Sequence, residues 1–137
     1  MTSSNALSTP EAEPFRLNGL CVLIVEDSWQ LGTAMKRLLL ACGADVIGPV
    51  ATTADAVRLI AQRIPDAALV DVNLRGDERA YGLIDQLHSQ GIRVVVTSGY
   101  AEIPLAPGKA IAILTKPVRE AQLLESLRPI MAERTAR

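Results

Sequence analysis

The chain holds one histidine, two cysteines and no surplus of positive charge, and each shortage closes off a class of function. With 14 Lys and Arg against 15 Asp and Glu, and no basic cluster, there is no electrostatic footprint for nucleic acid. Cys21 and Cys42 are too few for a disulfide framework and both sit in apolar patterns, so they read as core thiols. Residues 1–18 lack a basic segment followed by an apolar one. They resemble neither a signal peptide nor a membrane anchor, and read as a flexible tail on a cytoplasmic protein. No internal repeat or low-complexity block follows. What remains, 137 residues at 49% apolar content, suits one domain with a substantial core.

The body alternates apolar runs too short for helices with stretches of helical periodicity. This order, βα repeated five times, predicts a doubly wound α/β domain on a five-stranded parallel sheet over residues 19–133, with 134–137 as a tail. The first helical stretch repeats Leu31, Ala34, Met35, Leu38, Leu39 and Cys42 on one face and is stopped by Gly43. The second strand, residues 45–50, is weakened by Gly48-Pro49 and is expected at or near a sheet edge. Thr52-x-x-Asp55 opens the second helix, with Ala54, Val57, Ala61 and Ile64 on one face and Pro65 beyond its end. Ala80, Leu83, Ile84 and Leu87 form the inward face of the third, closed by Gly91. Residues 100–109 carry Pro104, Pro107 and Gly108, so a short turn or irregular loop replaces a full fourth helix. The last helix starts near Arg119 with Leu123, Leu124, Leu127 and Met131 inward, and Pro129 is expected to kink or end it near Arg128.

Four of the apolar runs end in polar chemistry: Glu26-Asp27 after the first, Asp71 at the third, Thr97-Ser98-Gly99 at the fourth and Thr115-Lys116-Pro117 at the fifth. Parallel strands bring their carboxyl ends to one edge of the sheet, where open α/β folds place their sites. Each residue alone has an ordinary reading: an Asp after an apolar run caps a turn, and a Ser or Lys there ends a strand. Together they do more. Glu26, Asp27 and Asp71 brought close repel one another and call for a hard divalent cation with oxygen ligands, Mg²⁺ above all, to which the Asn73 carbonyl could add an oxygen. A carboxylate can also attack phosphorus to give an aspartyl phosphate, with Mg²⁺, Lys116 and Ser98 each placed for one phosphoryl oxygen.

Val25-Glu-Asp27, Asp71-Val-Asn-Leu74, Thr97-Ser-Gly99 and Lys116-Pro117, in this order and spacing, resemble a response-regulator receiver domain. The resemblance implies that Asp71 accepts a phosphoryl group from a histidine-kinase phosphohistidine. It implies that Glu26, Asp27, Asp71 and Asn73 bind Mg²⁺, that Ser98 is the switch hydroxyl and that Lys116 binds phosphate. It further implies a phosphoacceptor rather than a turnover enzyme. Its partners would be a sensor histidine kinase or phosphotransferase protein and a downstream regulator, with no nucleic acid or membrane, and with a phosphorylation-dependent homodimer left open. Ser98 is favoured over Thr97 because Gly99 then follows the switch residue.

Three departures stand out. Ile113 occupies the position, three before the lysine, where receivers usually carry Tyr or Phe. The stretch from Ser98 to Lys116 is shorter than usual, and the loop from Asp71 to Gly82 is longer, with Arg75 where proline is frequent. With Ser98-Gly-Tyr100, these traits are similar to stand-alone receivers of the Phe-Ala-Thr-Gly-Tyr type found with alphaproteobacterial sensor kinases. Without the aromatic residue, the loop at 100–109 is expected to order around the phosphoryl group. Among other readings, a receiver-fold scaffold that is never phosphorylated is kept open by Ile113. A small phosphatase with an aspartyl nucleophile would usually carry a second Asp where Asn73 stands. A flavodoxin-like module would need a phosphate loop in place of Glu26-Asp27. His88 reads as a surface residue, Trp29 as partly buried at the first helix start, and Arg75-Gly-Asp77 as a coincidental tripeptide.

Overall fold

In the computed structural model the described residues are 16–74, 79–99 and 105–136. The strands are β1 (Cys21–Val25), β2 (Asp45–Val50), β3 (Ala67–Asp71), β4 (Arg93–Ser98) and β5 (Ala112–Thr115). The helices are α1 (Trp29–Ala41), α2 (Thr53–Gln62), α3 (Tyr81–Ser89) and α4 (Glu120–Ala136). All strand pairs are parallel and the order is β2-β1-β3-β4-β5, as the alternating pattern predicts for a doubly wound sheet. The order reverses between β1 and β3, so a crevice opens outside the carboxyl ends of those two strands.

Both faces of the sheet are covered, which is why β1 and β3 read as continuous apolar runs rather than alternating ones. Leu23, Val25, Ala68, Val70, Val94 and Val96 pack under α2 and α3. Val22, Ile24, Ala67, Leu69 and Val95 pack under α1 and α4. The first two helices start where a short polar side chain can satisfy a free backbone N–H: Ser28 Oγ accepts from Leu31 N at 3.2 Å, and Thr52 Oγ1 from Asp55 N at 3.1 Å. β2 is an edge strand, as Gly48-Pro49 predicts. Gly48 sits at φ +92°, and a Cβ there would meet the Ile24 carbonyl oxygen at 2.8 Å. Pro49 lies so close over α1 that a Cβ on Gly32 would stand 2.9 Å from the proline Cβ. No helix occupies residues 105–111, which agrees with an irregular fourth connection; residues 100–104 lie outside the described part.

Several expectations need correction. The packed body begins before residue 19: Leu17 is fully buried and its N–H donates to the Cys42 carbonyl at 2.7 Å. At the other end α4 continues past Pro129 to Ala136, so the proline does not end the helix near Arg128. Pro129 lies on the solvent side while Leu123, Leu127 and Ile130 are buried, so core packing holds the helix and the Glu125 carbonyl that loses its helical donor faces water. The second helix turns a different face inward from the one suggested: Ala56 and Ile60 are buried with Leu59 beside them, while Val57 and Ile64 are exposed. Both sets repeat at helical spacing, and the one carrying Leu59 and Ile60 fills the groove over β1 and β3. Trp29 is 74% exposed, because it stands above the carboxyl edge where β1 has already ended. Cys21 is buried and Cys42 half-buried; burial pushes both thiols up, which suits core residues.

Candidate functional site

The carboxyl edge of the sheet gathers the polar strand ends. Glu26 follows β1 directly and its N–H is tied to the Val50 carbonyl of β2 at 2.8 Å. Val25 pairs with Val70, so Glu26 lies beside Asp71, the last residue of β3. Glu26, Asp27 and Asp71 can bring one carboxylate oxygen each within 4.8 Å of one another, the first and last buried and Asp27 half-buried. Lys116 follows β5, held there by its N–H donating to the Ser98 carbonyl at 2.7 Å, and its peptide bond to Pro117 is cis.

The ammonium reaches across the edge. Lys116 Nζ donates to Asp71 Oδ2 at 2.9 Å and lies 3.3 Å from Glu26 Oε1, a spacing that makes an ion pair without hydrogen-bond alignment. Asp71 Oδ1 accepts the Asn73 N–H at 3.0 Å, and Glu26 Oε2 accepts the Ser28 N–H at 3.0 Å. Each of these carboxylates is thus fixed at one oxygen by the loop that follows its own strand and faces the ammonium with the other.

Glu26 and Asp71 share the one Lys116 ammonium among the described residues. Burial pushes the Glu26 carboxyl up to about 7, and the Asp71 charge adds to the shift; the Ser28 N–H and Lys116 pull it back only in part. Desolvation lowers the proton affinity of Lys116, but the bond to Asp71 and the pairing with Glu26 outweigh it, so the ammonium is held above its ordinary value. The buried, poorly satisfied Glu26 Oε1 and the all-oxygen donor set fit a hard divalent cation. Asn73 lies beside this donor set, its N–H donating to Asp71 Oδ1 at 3.0 Å.

Ser98 and Thr97 sit at the end of β4, both buried. Ser98 pairs in register with Thr115 and offers its carbonyl to Lys116, whereas Thr97 pairs with Asp71 itself. Thr97 Oγ1 is buried and has no hydrogen-bond partner. Sequence reasoning set Thr97 aside in favour of Ser98; the signal that could have found it is its register with Asp71, which requires knowing the strand alignment. Ile113 is 46% exposed on edge strand β5. His88 is exposed on α3, as expected. The tripeptide 75–77 and the first half of the 100–109 loop lie outside the described residues. Among the described residues, no helix is long and apolar enough to cross a membrane.

No family model and no curated protein matches this chain. Solved structures do. A CheY-like response regulator receiver domain from Methylobacillus flagellatus is 28% identical, with 82% of this chain and 99% of that one covered at a TM-score of 0.72. A CheY-like receiver domain protein from Methanospirillum hungatei is 25% identical, covering 87% and 98% at 0.77. The solution structure of SdrG from Sphingomonas melonis is 25% identical, covering 82% and 97% at 0.70. Those domains are matched nearly end to end, and with its five-stranded parallel sheet and a buried aspartate at the end of the third strand paired to a lysine after the fifth, this chain has the fold of the CheY-like response-regulator receiver domains it resembles.

Proposed function

We propose that this domain accepts a phosphoryl group on Asp71 from the phosphohistidine of a sensor kinase or phosphotransferase protein, in a Mg²⁺-dependent reaction, and passes the signal on through protein contacts that change with phosphorylation. The observation that carries the reading is the 2.9 Å contact between Lys116 Nζ and the buried carboxylate of Asp71, beside two further carboxylates. In the transfer, an Asp71 oxygen forms the new P–O bond as the donor's P–N bond breaks, and the donor imidazole takes a proton as it leaves. Phosphoryl transfer asks a protein for position and for charge balance on the transferred oxygens. The Asn73 N–H fixes Asp71 Oδ1, and the Lys116 ammonium, already on Oδ2, would be within reach of a group built there. Ser98 supplies the switch hydroxyl. Glu26, Asp27, Asp71 and the Asn73 carbonyl would hold Mg²⁺, which would supply neutralisation of the phosphoryl charge. The chain acts as a phosphoacceptor and not as a turnover enzyme, since Asn73 stands where a phosphatase would need a general acid.

The test is intact mass of wild type and Asp71→Asn after incubation with Mg²⁺ and phosphodonors, including autophosphorylated sensor kinases. Gain of one phosphoryl group by wild type alone is the expected result. No gain with any donor overturns the reading in favour of a phosphorylation-independent scaffold, for which the exposed Ile113 on β5 offers a docking position.

A further inference from the structure

At the carboxyl edge the hydroxyl of Thr97 has no hydrogen-bond partner in the free protein. It is buried, with the residue 1% exposed, and no donor or acceptor meets Oγ1 among the described residues. An orphaned buried hydroxyl is unfavourable and calls for a specific account. The residue is also fixed where the chemistry would be. Asp71, Thr97 and Leu114 are partners in one row across β3, β4 and β5, and paired residues of parallel strands project from the same face. The Thr97 carbonyl accepts the Val72 N–H at 3.0 Å, which locks the strand to the backbone just past Asp71.

The lysine contact adds a second constraint. β3 and β5 flank β4 at about 10 Å from each other, twice the ordinary strand spacing. Lys116 nevertheless reaches Asp71 Oδ2 at 2.9 Å, so the ion pair spans the end of β4, where Thr97 lies. In the free protein Asp71 Oδ1 is held by Asn73 and Oδ2 by Lys116, and in that placement neither oxygen meets the threonine hydroxyl. Loading Asp71 with a phosphoryl group adds acceptor oxygens and draws the ammonium toward them.

We propose that Thr97 is a second hydroxyl donor of the loaded site: unsatisfied while Asp71 is free, it hydrogen-bonds to the oxygens at Asp71 once a phosphoryl group is attached, in addition to Ser98 and on the other face of the strand end. This deepens the proposed function and rests on Asp71 being the acceptor. It makes Thr97 a device that raises the energy of the free state and lowers that of the loaded one, so that removing the hydroxyl should move the two states in opposite directions.

The experiment compares wild type, Thr97→Val and Thr97→Ser, using beryllofluoride with Mg²⁺ as the phosphoryl mimic. Binding is read by calorimetry, and the free protein's stability by urea unfolding without metal. Expected are a higher urea midpoint for free Thr97→Val, a beryllofluoride affinity about tenfold weaker than wild type, as loss of a hydrogen bond to a charged group implies, and recovery of the affinity in Thr97→Ser. Equal beryllofluoride affinity in wild type and Thr97→Val overturns the inference while leaving Asp71 as acceptor. A lower urea midpoint for Thr97→Val with unchanged affinity also overturns it, since the hydroxyl would then serve packing of the free state. Failure of wild type itself to bind the mimic overturns the proposed function and this inference with it.

Discussion

Lys116 Nζ lies 2.9 Å from Asp71 Oδ2 across the end of an intervening strand, although 45 residues separate the two in the chain. The ammonium is the only cation found against Asp71 and Glu26 among the described residues, and it is partly exposed where they are buried. Lys116→Met should therefore cost about 1–3 kcal/mol in metal-free buffer, less than for a fully buried pair because water reaches the lysine. Mg²⁺ should stabilise this variant more than it stabilises wild type, since the cation takes over the charge. Urea unfolding with and without Mg²⁺ checks both halves; equal Mg²⁺ effects would refute the second.

Glu26 gives the domain a pH dependence of a definite sign. Burial raises its carboxyl from 4.5 to about 7, so the folded state holds this proton more tightly than the unfolded chain. The resulting stability is full below pH 4.5 and is lost as pH rises through 7, by roughly 3–3.5 kcal/mol at most. Lys116 is also raised, but its window lies above pH 10.5 and adds no slope here. Unfolding midpoints at pH 5.5 and pH 8 without metal should therefore fall in wild type and fall distinctly less in Glu26→Gln.

Pro129 interrupts the hydrogen bonding of α4 on its solvent side. Pro129→Ala should restore the bond to the Glu125 carbonyl and stabilise the domain by about 1–2 kcal/mol, after allowance for the looser unfolded chain. Thermal melts would show a higher Tm, and an unchanged or lower one would mean that the proline is needed where it stands.

Two glycines should respond in opposite directions. Gly48→Ala puts a Cβ 2.8 Å from the Ile24 carbonyl oxygen at φ +92°, and should destabilise by about 2 kcal/mol or more. Gly82 lies exposed in α3 with nothing within 4 Å of an added Cβ. Gly82→Ala should stabilise by about 0.5–1 kcal/mol. Parallel urea titrations of the two variants decide both.

Most of the architecture is legible in the order of the amino acids. Short apolar runs, most of them ending in polar or charged residues and separated by helical periodicity, leave few alternatives to parallel strands with helices between them, and Gly48-Pro49 marks β2 as the edge it is. Asp71, Glu26, Asp27 and Lys116 can be picked out for the same reason: strands that run one way carry their last residues to one edge. The failures share a different cause. Ala54, Val57, Ala61 and Ile64 keep helical spacing as well as Ala56, Leu59 and Ile60 do, and a period has no means of saying which stripe will find the sheet beneath it. Pro129 has a poor local propensity for a helix interior, but the burial of Leu127 and Ile130 on either side of it is a tertiary quantity. Trp29 is apolar and large, yet it stands above the end of β1.

The order and kind of the elements, and the edge that collects the charge, thus belong to the chain's own patterning, because both follow from local periodicity and from the single direction of the strands. The register belongs to the folded molecule: that Thr97 rather than Ser98 aligns with Asp71, that Glu26 Oε1 is left without a hydrogen bond, and that Lys116 spans β4 to reach its partner. Register is set by how the two faces of the sheet pack under their helices, a property of all the strands at once that no single stretch of the chain carries.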